Sequence, residues 1–322
     1  MTKPGSSSDP DQRWDVVVVG GGAAGLSAAL ILARARRRVL VLDAGAPRNR
    51  FAPHMHGVLS RNGYSPLQLV EDGRREVLAA DGEIVPARAA DVRRVDDGFE
   101  LTTGDGSTVL TGRLIVATGV RDDLPAIEGL AEQWGRGVVA CPYCDGYEAR
   151  GRTIGVLPAS LMGLHKAHMV RSYSADVTVF TTLVGDVTDP DRRVLEARGI
   201  RLEDRPVSRV VSADSVLTGL ELTDGTRVPI DVVFAEPRMT PLDALIQQLG
   251  AEQQETPWGP WVWSDPTGKT SVDGLWVAGN SADPAALVPL AAASGVRTAL
   301  RINSELVAED IQRETAHLEL AA

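Results

Sequence analysis

Cysteine is almost absent: the 322 residues contain two, Cys141 and Cys144. A disulfide framework is thereby excluded, and in a reducing compartment a lone pair in Cys-x-x-Cys spacing points to redox chemistry or a metal, not to a structural staple. An excess of positive charge is lacking too. With 33 basic and 43 acidic residues the formal charge is −10, which argues against nucleic acid or an anionic membrane as the main partner. The basic run Arg34, Arg36, Arg37, Arg38 closes an Ala/Leu-rich stretch and reads as a solvated helix C-terminus that complements the helix dipole. No apolar run reaches the length of a membrane span. The first 13 residues are polar and Pro/Ser-rich, without the apolar centre of a signal peptide. They are expected to form a disordered leader, and the protein to be cytoplasmic.

What is present is an ordinary globular composition, 43% hydrophobic and 24% charged, over a length that favours two domains. Apolar β-branched runs alternate with Ala/Leu-rich helical segments, the pattern of an α/β fold. Residues 15–19 (DVVVV) form an unbroken apolar run suited to a buried parallel strand. A helix over about 23–35 and a strand over 38–42 complete a βαβ unit. A strand at 113–117 leads to a crossover near Asp122, Asp123 and Pro125. A second βαβ-like unit spans a strand at 153–156, a helix at 161–173 and a strand at 176–180. The strand at 231–235 precedes a return crossover at Glu236-Pro237; strands at 258–263 and 275–278 and a helix over about 290–308 follow. The expected layout is one domain interrupted by another.

The first strand runs directly into Gly20-Gly21-Gly22-Ala23-Ala24-Gly25, a G-x-G-x-x-G at Gly20, Gly22 and Gly25. In a dinucleotide-binding turn these glycines serve the tight bend, the approach of backbone to pyrophosphate, and close helix–strand packing. The helix that follows supplies N–H donors and a favourable dipole. Asp43, at the end of the second strand, stands where an acid meets ribose hydroxyls. Strand, helix and terminal acid all accompany the motif, so a purely steric glycine turn is the poorer reading.

Cys141-Pro142-Tyr143-Cys144-Asp145-Gly146 brings two sulfurs within bonding reach. If the motif opens a helix, its dipole favours the thiolate of the exposed cysteine, and Asp145 is placed to move the proton. A zinc set of Cys141, Cys144, His165 and His168 can also be written, although its H-x2-H half is shorter than the usual spacing. Trp258, Trp261 and Trp263 read as packing residues or as the wall of an apolar pocket.

Gly20–Gly25, Ala117-Thr118-Gly119, Cys141–Gly146 and Gly279-Asn280 occur in the order and spacing of the low-molecular-weight thioredoxin reductases, which the chain resembles from about residue 14 to 302. The resemblance implies two Rossmann-like three-layer domains, the second inserted in the first. An FAD domain would comprise residues 1–119 and 241–322, and an inserted pyridine-nucleotide domain 120–240. It also implies a homodimer, FAD held by Gly20, Gly22, Ala23, Ala24, Gly25, Asp43, Ala117, Thr118, Gly119, Gly279 and Asn280, and distinct roles at the thiols. Cys144 would face the flavin, Cys141 would exchange with substrate, and Asp145 would be the acid–base.

The departures point to one branch of that family. Leu157 and Ala159 stand where the inserted domain's first two fingerprint glycines belong, and Pro158 removes a donor between them. Thr181-Thr182-Leu183 replaces the His-Arg-Arg that holds the 2′-phosphate of NADPH. Gly279-Asn280 replaces Gly-Asp, and Ala286-Leu287 replaces the usual Arg-Gln beside the flavin. With these changes the chain is similar to the dithiol oxidases of sulfur-containing natural products such as gliotoxin and holomycin, as is the stretch from Pro47 to Gly57. That branch often carries His after the second cysteine, where this chain has Asp145; His54 or His56 is a bystander or a base. The resulting expectation is a dithiol oxidase of small-molecule dithiols, with O2 as acceptor. The alternatives are a reductase of a thioredoxin-like protein fed by NADPH or ferredoxin, a redox sensor that does not turn over, and a zinc-stabilised binding domain.

Overall fold

The computed structural model describes residues 13–319, so residues 1–12 of the expected leader lie outside the described residues. The described residues divide into two compact units: one of residues 13–48, 67–121 and 240–319, the other of 49–66 and 122–239. Sheet and helix layers of the α/β type recur in both.

The first unit is built on a sheet in the order Glu83–Val85, Val39–Leu42, Trp14–Val19, Thr108–Val116, Gly98–Thr103, Ala89–Val95. The central strands are parallel, and Val16, Val17 and Val18 are wholly buried, as their unbroken apolar run requires. Thr108–Val116 is long enough to serve two neighbours. Its first half pairs antiparallel with Gly98–Thr103 and its second half parallel with Leu275–Val277. The helix Ala23–Arg34 packs on this sheet together with the C-terminal helix Val288–Glu319, burying Ala28, Ala29, Leu32, Ala299 and Ile302.

The second unit has a five-stranded parallel sheet in the order Arg201–Glu203, Val177–Phe180, Ile154–Leu157, Val232–Ala235, Val138–Val139. A three-stranded antiparallel sheet, Val207–Ala213, Val216–Leu222 and Arg227–Pro229, lies in the same unit. Both parallel βαβ units expected from the apolar runs are present, and several boundaries shift; the strand expected at 113–117 begins at Thr108. The helix from Leu161 stops at Val170, the last helix runs on to Glu319, and the tryptophan-rich strand shrinks to Gly259–Val262 in a hairpin with Gln253–Thr256. Trp261 is buried and donates its Nε1–H to the carbonyl of Asn280 at 3.2 Å, whereas Trp258 and Trp263 are partly exposed. Among the described residues no helix is long and apolar enough to cross a membrane.

Candidate active site

In the first unit the fingerprint turn, Ala117–Gly119 and Gly279–Asn280 follow the C-terminal ends of neighbouring parallel strands, Trp14–Val19, Thr108–Val116 and Leu275–Val277. Gly20 has φ +108°, and a Cβ there would fall 2.4 Å from the carbonyl oxygen of Ala117. A Cβ on Gly25 would fall 1.9 Å from the oxygen of Gly20, so the helix lies against the strand only because both side chains are missing. Gly279 meets Ala24 in the same way, at 2.7 Å, and Gly119 lies beside Asn280. Two serines absent from the sequence reading tie the loops: Ser281 Oγ accepts from Gly119 N at 2.8 Å, and Ser294 Oγ from Gly279 N at 2.7 Å.

A Cβ on Gly22, by contrast, would meet nothing within 4 Å. The helix it opens has no side-chain cap, so its first-turn N–H groups face that open space. Asp43 is buried; its Oδ1 accepts from Gly21 N at 3.0 Å and Gly45 N at 3.1 Å, and Arg74 pairs with its other oxygen. An open anion cradle beside a carboxylate fixed at the second strand's end fits the pyrophosphate and ribose of FAD. Asn280 donates Nδ2–H to the carbonyls of Asp283, Pro284 and Ala286, each at 3.0 Å.

The corresponding turn of the second unit is occupied by a side chain of the protein itself. Beyond Ile154–Leu157, Glu236 lays its carboxylate across the start of the helix Leu161–Val170. It accepts from Ala159 N at 2.7 Å, Ser160 N at 3.0 Å and Ser160 Oγ at 2.8 Å. The protein's own anion therefore holds the donors a phosphate would need. Ser160 Oγ also caps the helix by accepting from Gly163 N at 3.0 Å. Thr181, expected near a 2′-phosphate, is buried and bonded to Asp204.

The thiols lie on a single helical turn, Pro142–Asp145, with Cys141 as its N-cap residue and Pro142 at its first position. Both cysteines are half-buried. Cys144 hydrogen-bonds the Cys141 sulfur and brings its pKa down to about 7, against the opposing effects of burial and of Asp145. Burial drives Asp145 the other way, up to about 6; a charge on His56 lowers it and Glu148 raises it. Lys166, nearly buried, donates to the carbonyl of Ala235 at 2.7 Å. Burial lowers its pKa to about 8, while Glu236, Cys141 and Asp122 favour its charge.

The structure brings His56 to this turn: its Nδ1 lies 2.9 Å from the carbonyl oxygen of Cys144, and its Nε2 3.6 Å from Glu148. His54 instead contacts the carbonyl of Gly63 at 3.1 Å. Sequence reasoning gave His56 little weight and missed Lys166, Glu148 and the role of Glu236. His165 and His168 face each other at 6.4 Å, and among the described residues no group of three or more His, Cys, Asp or Glu is arranged to hold a metal.

A dinucleotide cradle on one unit and a polarised Cys-x-x-Cys turn on the other define a flavoprotein disulfide oxidoreductase. The family model of pyridine nucleotide-disulphide oxidoreductases matches residues 14–295. The thioredoxin reductase tcpT of Claviceps purpurea is 31% identical over 309 residues, covering 92% of this chain and 95% of that protein. The thioredoxin reductase sirT of Leptosphaeria maculans is 30% identical over 317 residues, covering 92% and 96%. The crystal structure of HlmI superposes with a TM-score of 0.92 at 41% identity, over 99% of this chain and 100% of that one. An oxidoreductase from Agrobacterium tumefaciens gives 0.85 at 34% identity, over 92% and 99%. The chain belongs to the pyridine nucleotide-disulphide oxidoreductase family and is a thioredoxin reductase-like, FAD-dependent thiol–disulfide oxidoreductase.

Proposed function

We propose that this oxidoreductase is a dithiol oxidase, closing a disulfide in a small-molecule dithiol with O2 as the final acceptor. The observation that carries this reading is the Glu236 carboxylate lying across the helix start where a nicotinamide dinucleotide would place its phosphates. With that entry for reducing equivalents blocked, electrons enter at the thiols. On this reading the FAD domain comprises residues 1–119 and 241–322 apart from the segment 49–66, which belongs to the unit of the thiol turn, with Gly20, Gly22, Ala23, Ala24, Gly25, Asp43, Ala117, Thr118, Gly119, Gly279 and Asn280 at the cofactor. The inserted domain, 120–240, presents Cys141, Cys144 and Asp145.

One substrate thiolate attacks Cys141 Sγ of the Cys141–Cys144 disulfide, forming a mixed disulfide and releasing Cys144 as a thiolate. The second substrate thiolate attacks the substrate sulfur of that bond, closing the product disulfide and expelling Cys141. Two electrons now reside on the enzyme dithiol. Asp145, its pKa raised by burial to about 6, takes up and returns the accompanying proton. FAD, when bound, would supply the two-electron acceptor for the enzyme dithiol, with O2 as the final acceptor and hydrogen peroxide as its product.

A reductase reading draws on two observations: Asp145 follows Cys144, and the fungal relatives are named thioredoxin reductases. Anaerobic flavin absorbance separates the two. Dithiothreitol is expected to bleach the flavin, and air to restore it with one peroxide per dithiol, while NADPH leaves it unchanged. Rapid bleaching by NADPH would give the reductase reading first place.

A further inference from the structure

The segment of residues 49–66 precedes the thiol turn by some 90 residues in sequence yet belongs to the same compact unit. It delivers one side chain to that turn. His56 is largely buried, and its Nδ1 donates to the Cys144 carbonyl at 2.9 Å, which fixes Nε2 as the nitrogen turned toward Glu148, 3.6 Å away. Glu148 lies three residues beyond Asp145, in the turn that follows the helical one. Asp145, next in the chain to the carbonyl that His56 holds, thus shares its turn with a potential cation and a potential anion that contact each other.

We propose that His56 and Glu148 are positioning residues for the thiol turn: His56 clamps the Cys144 carbonyl, and the pair, through opposite charges, sets when Asp145 holds its proton. The inference deepens the dithiol-oxidase reading and rests on it for its functional meaning. It makes the acid–base a three-residue unit assembled from two distant segments, so that the proton is available at Asp145 when Cys144 leaves as a thiolate. The charges acting on Asp145 are those of His56 and Glu148, in opposite senses. Cys141 feels Asp145 in turn. From the helix Leu161–Val170 packed against the turn come His165, Lys166 and His168, of which Lys166 is in the field of Cys141, Glu236 and Asp122. Of the arginines in residues 49–66 and 146–150, Arg150 stacks on Tyr147, Arg50 on Phe51 and Arg61 on Tyr64.

The test uses the FAD-loaded protein and reads the Asp145 proton directly. Its protonated-carboxyl infrared band is isolated at each pH as the difference from Asp145→Asn. His56→Gln keeps an amide donor for the Cys144 carbonyl and removes the cation; the Asp145 midpoint is expected to rise by about one pH unit. Glu148→Gln removes the anion, and the midpoint is expected to fall by about half a unit, less because Glu148 is more exposed. A clamp without electrostatic function, or a general loosening of the turn, moves both variants together or neither, and either result overturns the proposal. Dithiothreitol bleaching of the same samples tests the oxidase reading separately. Opposite infrared shifts without bleaching leave the pair's role standing and remove the oxidase; bleaching without the shifts does the reverse.

Discussion

Asp145 is kept where a carboxylate is not comfortable. Burial is the largest influence on it and raises its pKa from 3.8 to about 6, with His56 only partly relieving the strain. The folded protein therefore binds this proton more tightly than the unfolded chain does. Stability attributable to the group is lost as pH rises from about 4 to about 6, and the deficit persists at neutrality. Asp145→Asn removes the ionisation and keeps a group of the same shape. It is expected to stabilise the protein by about 3 kcal/mol at pH 7.5 and by nothing below about pH 4, while slowing thiol exchange. Urea unfolding at the two pH values measures this, and an equal effect at both would rule out burial of charge as the cause. A variant that gains stability as it loses chemistry marks a residue held for function. Asn280 shows the opposite economy: three backbone carbonyls accept from its amide. An aspartate could not serve them, which gives the Gly-Asn pair a structural reason of its own.

Among the elements, the helix Leu161–Val170 carries the clearest record of change. Its N-terminus is built as an anion site and filled from within by Glu236. Glu236→Ala leaves the N–H groups of Ala159 and Ser160 unpaired and removes the anion facing Lys166, so a loss of about 1–3 kcal/mol in unfolding free energy is expected. It is not expected to confer NADPH binding, since Leu157 and Ala159 still crowd the turn and Pro158 still lacks a donor. Urea unfolding checks the first outcome and quenching of NADPH fluorescence the second. The two βαβ units, the glycine turn and the thiol motif were legible in the sequence because each is local: an unbroken apolar run, a glycine spacing, a four-residue motif. Glu236 read only as part of a crossover, because its contacts with Ala159 and Ser160 span 77 and 76 residues. His56 read as a bystander for the same reason, 88 residues from the carbonyl it holds. The antiparallel strands Ala89–Val95 and Val207–Ala213 escaped notice because their polar, partly exposed faces leave no continuous hydrophobic signal.

At the scale of the whole chain, the cofactor cradle and the thiols belong to units with separate hydrophobic cores, one around Val16, Leu32 and Ile302, the other around Val156, Val179 and Phe234. Cofactor retention and thiol chemistry should then be separable by substitution. Gly22 is extended, with φ −84°, and has open space where a Cβ would stand. Gly22→Val is therefore tolerated by the backbone and projects a branched side chain into the cradle. Losing two charge-assisted hydrogen bonds to phosphate, each worth about 1.5–3 kcal/mol, weakens FAD by about a hundredfold or more. The pH midpoint of Cys141 alkylation, near 7 in the parent, should stay in place. Cys144→Ser should give the converse, full flavin content with no bleaching by dithiothreitol. Flavin absorbance per protein, and mass spectrometry of iodoacetamide-treated samples across pH, read both. If Gly22→Val shifted the Cys141 midpoint by a unit, or Cys144→Ser shed its flavin, the two units would be one cooperative site. The assignment of binding to one and exchange to the other would then have to be abandoned.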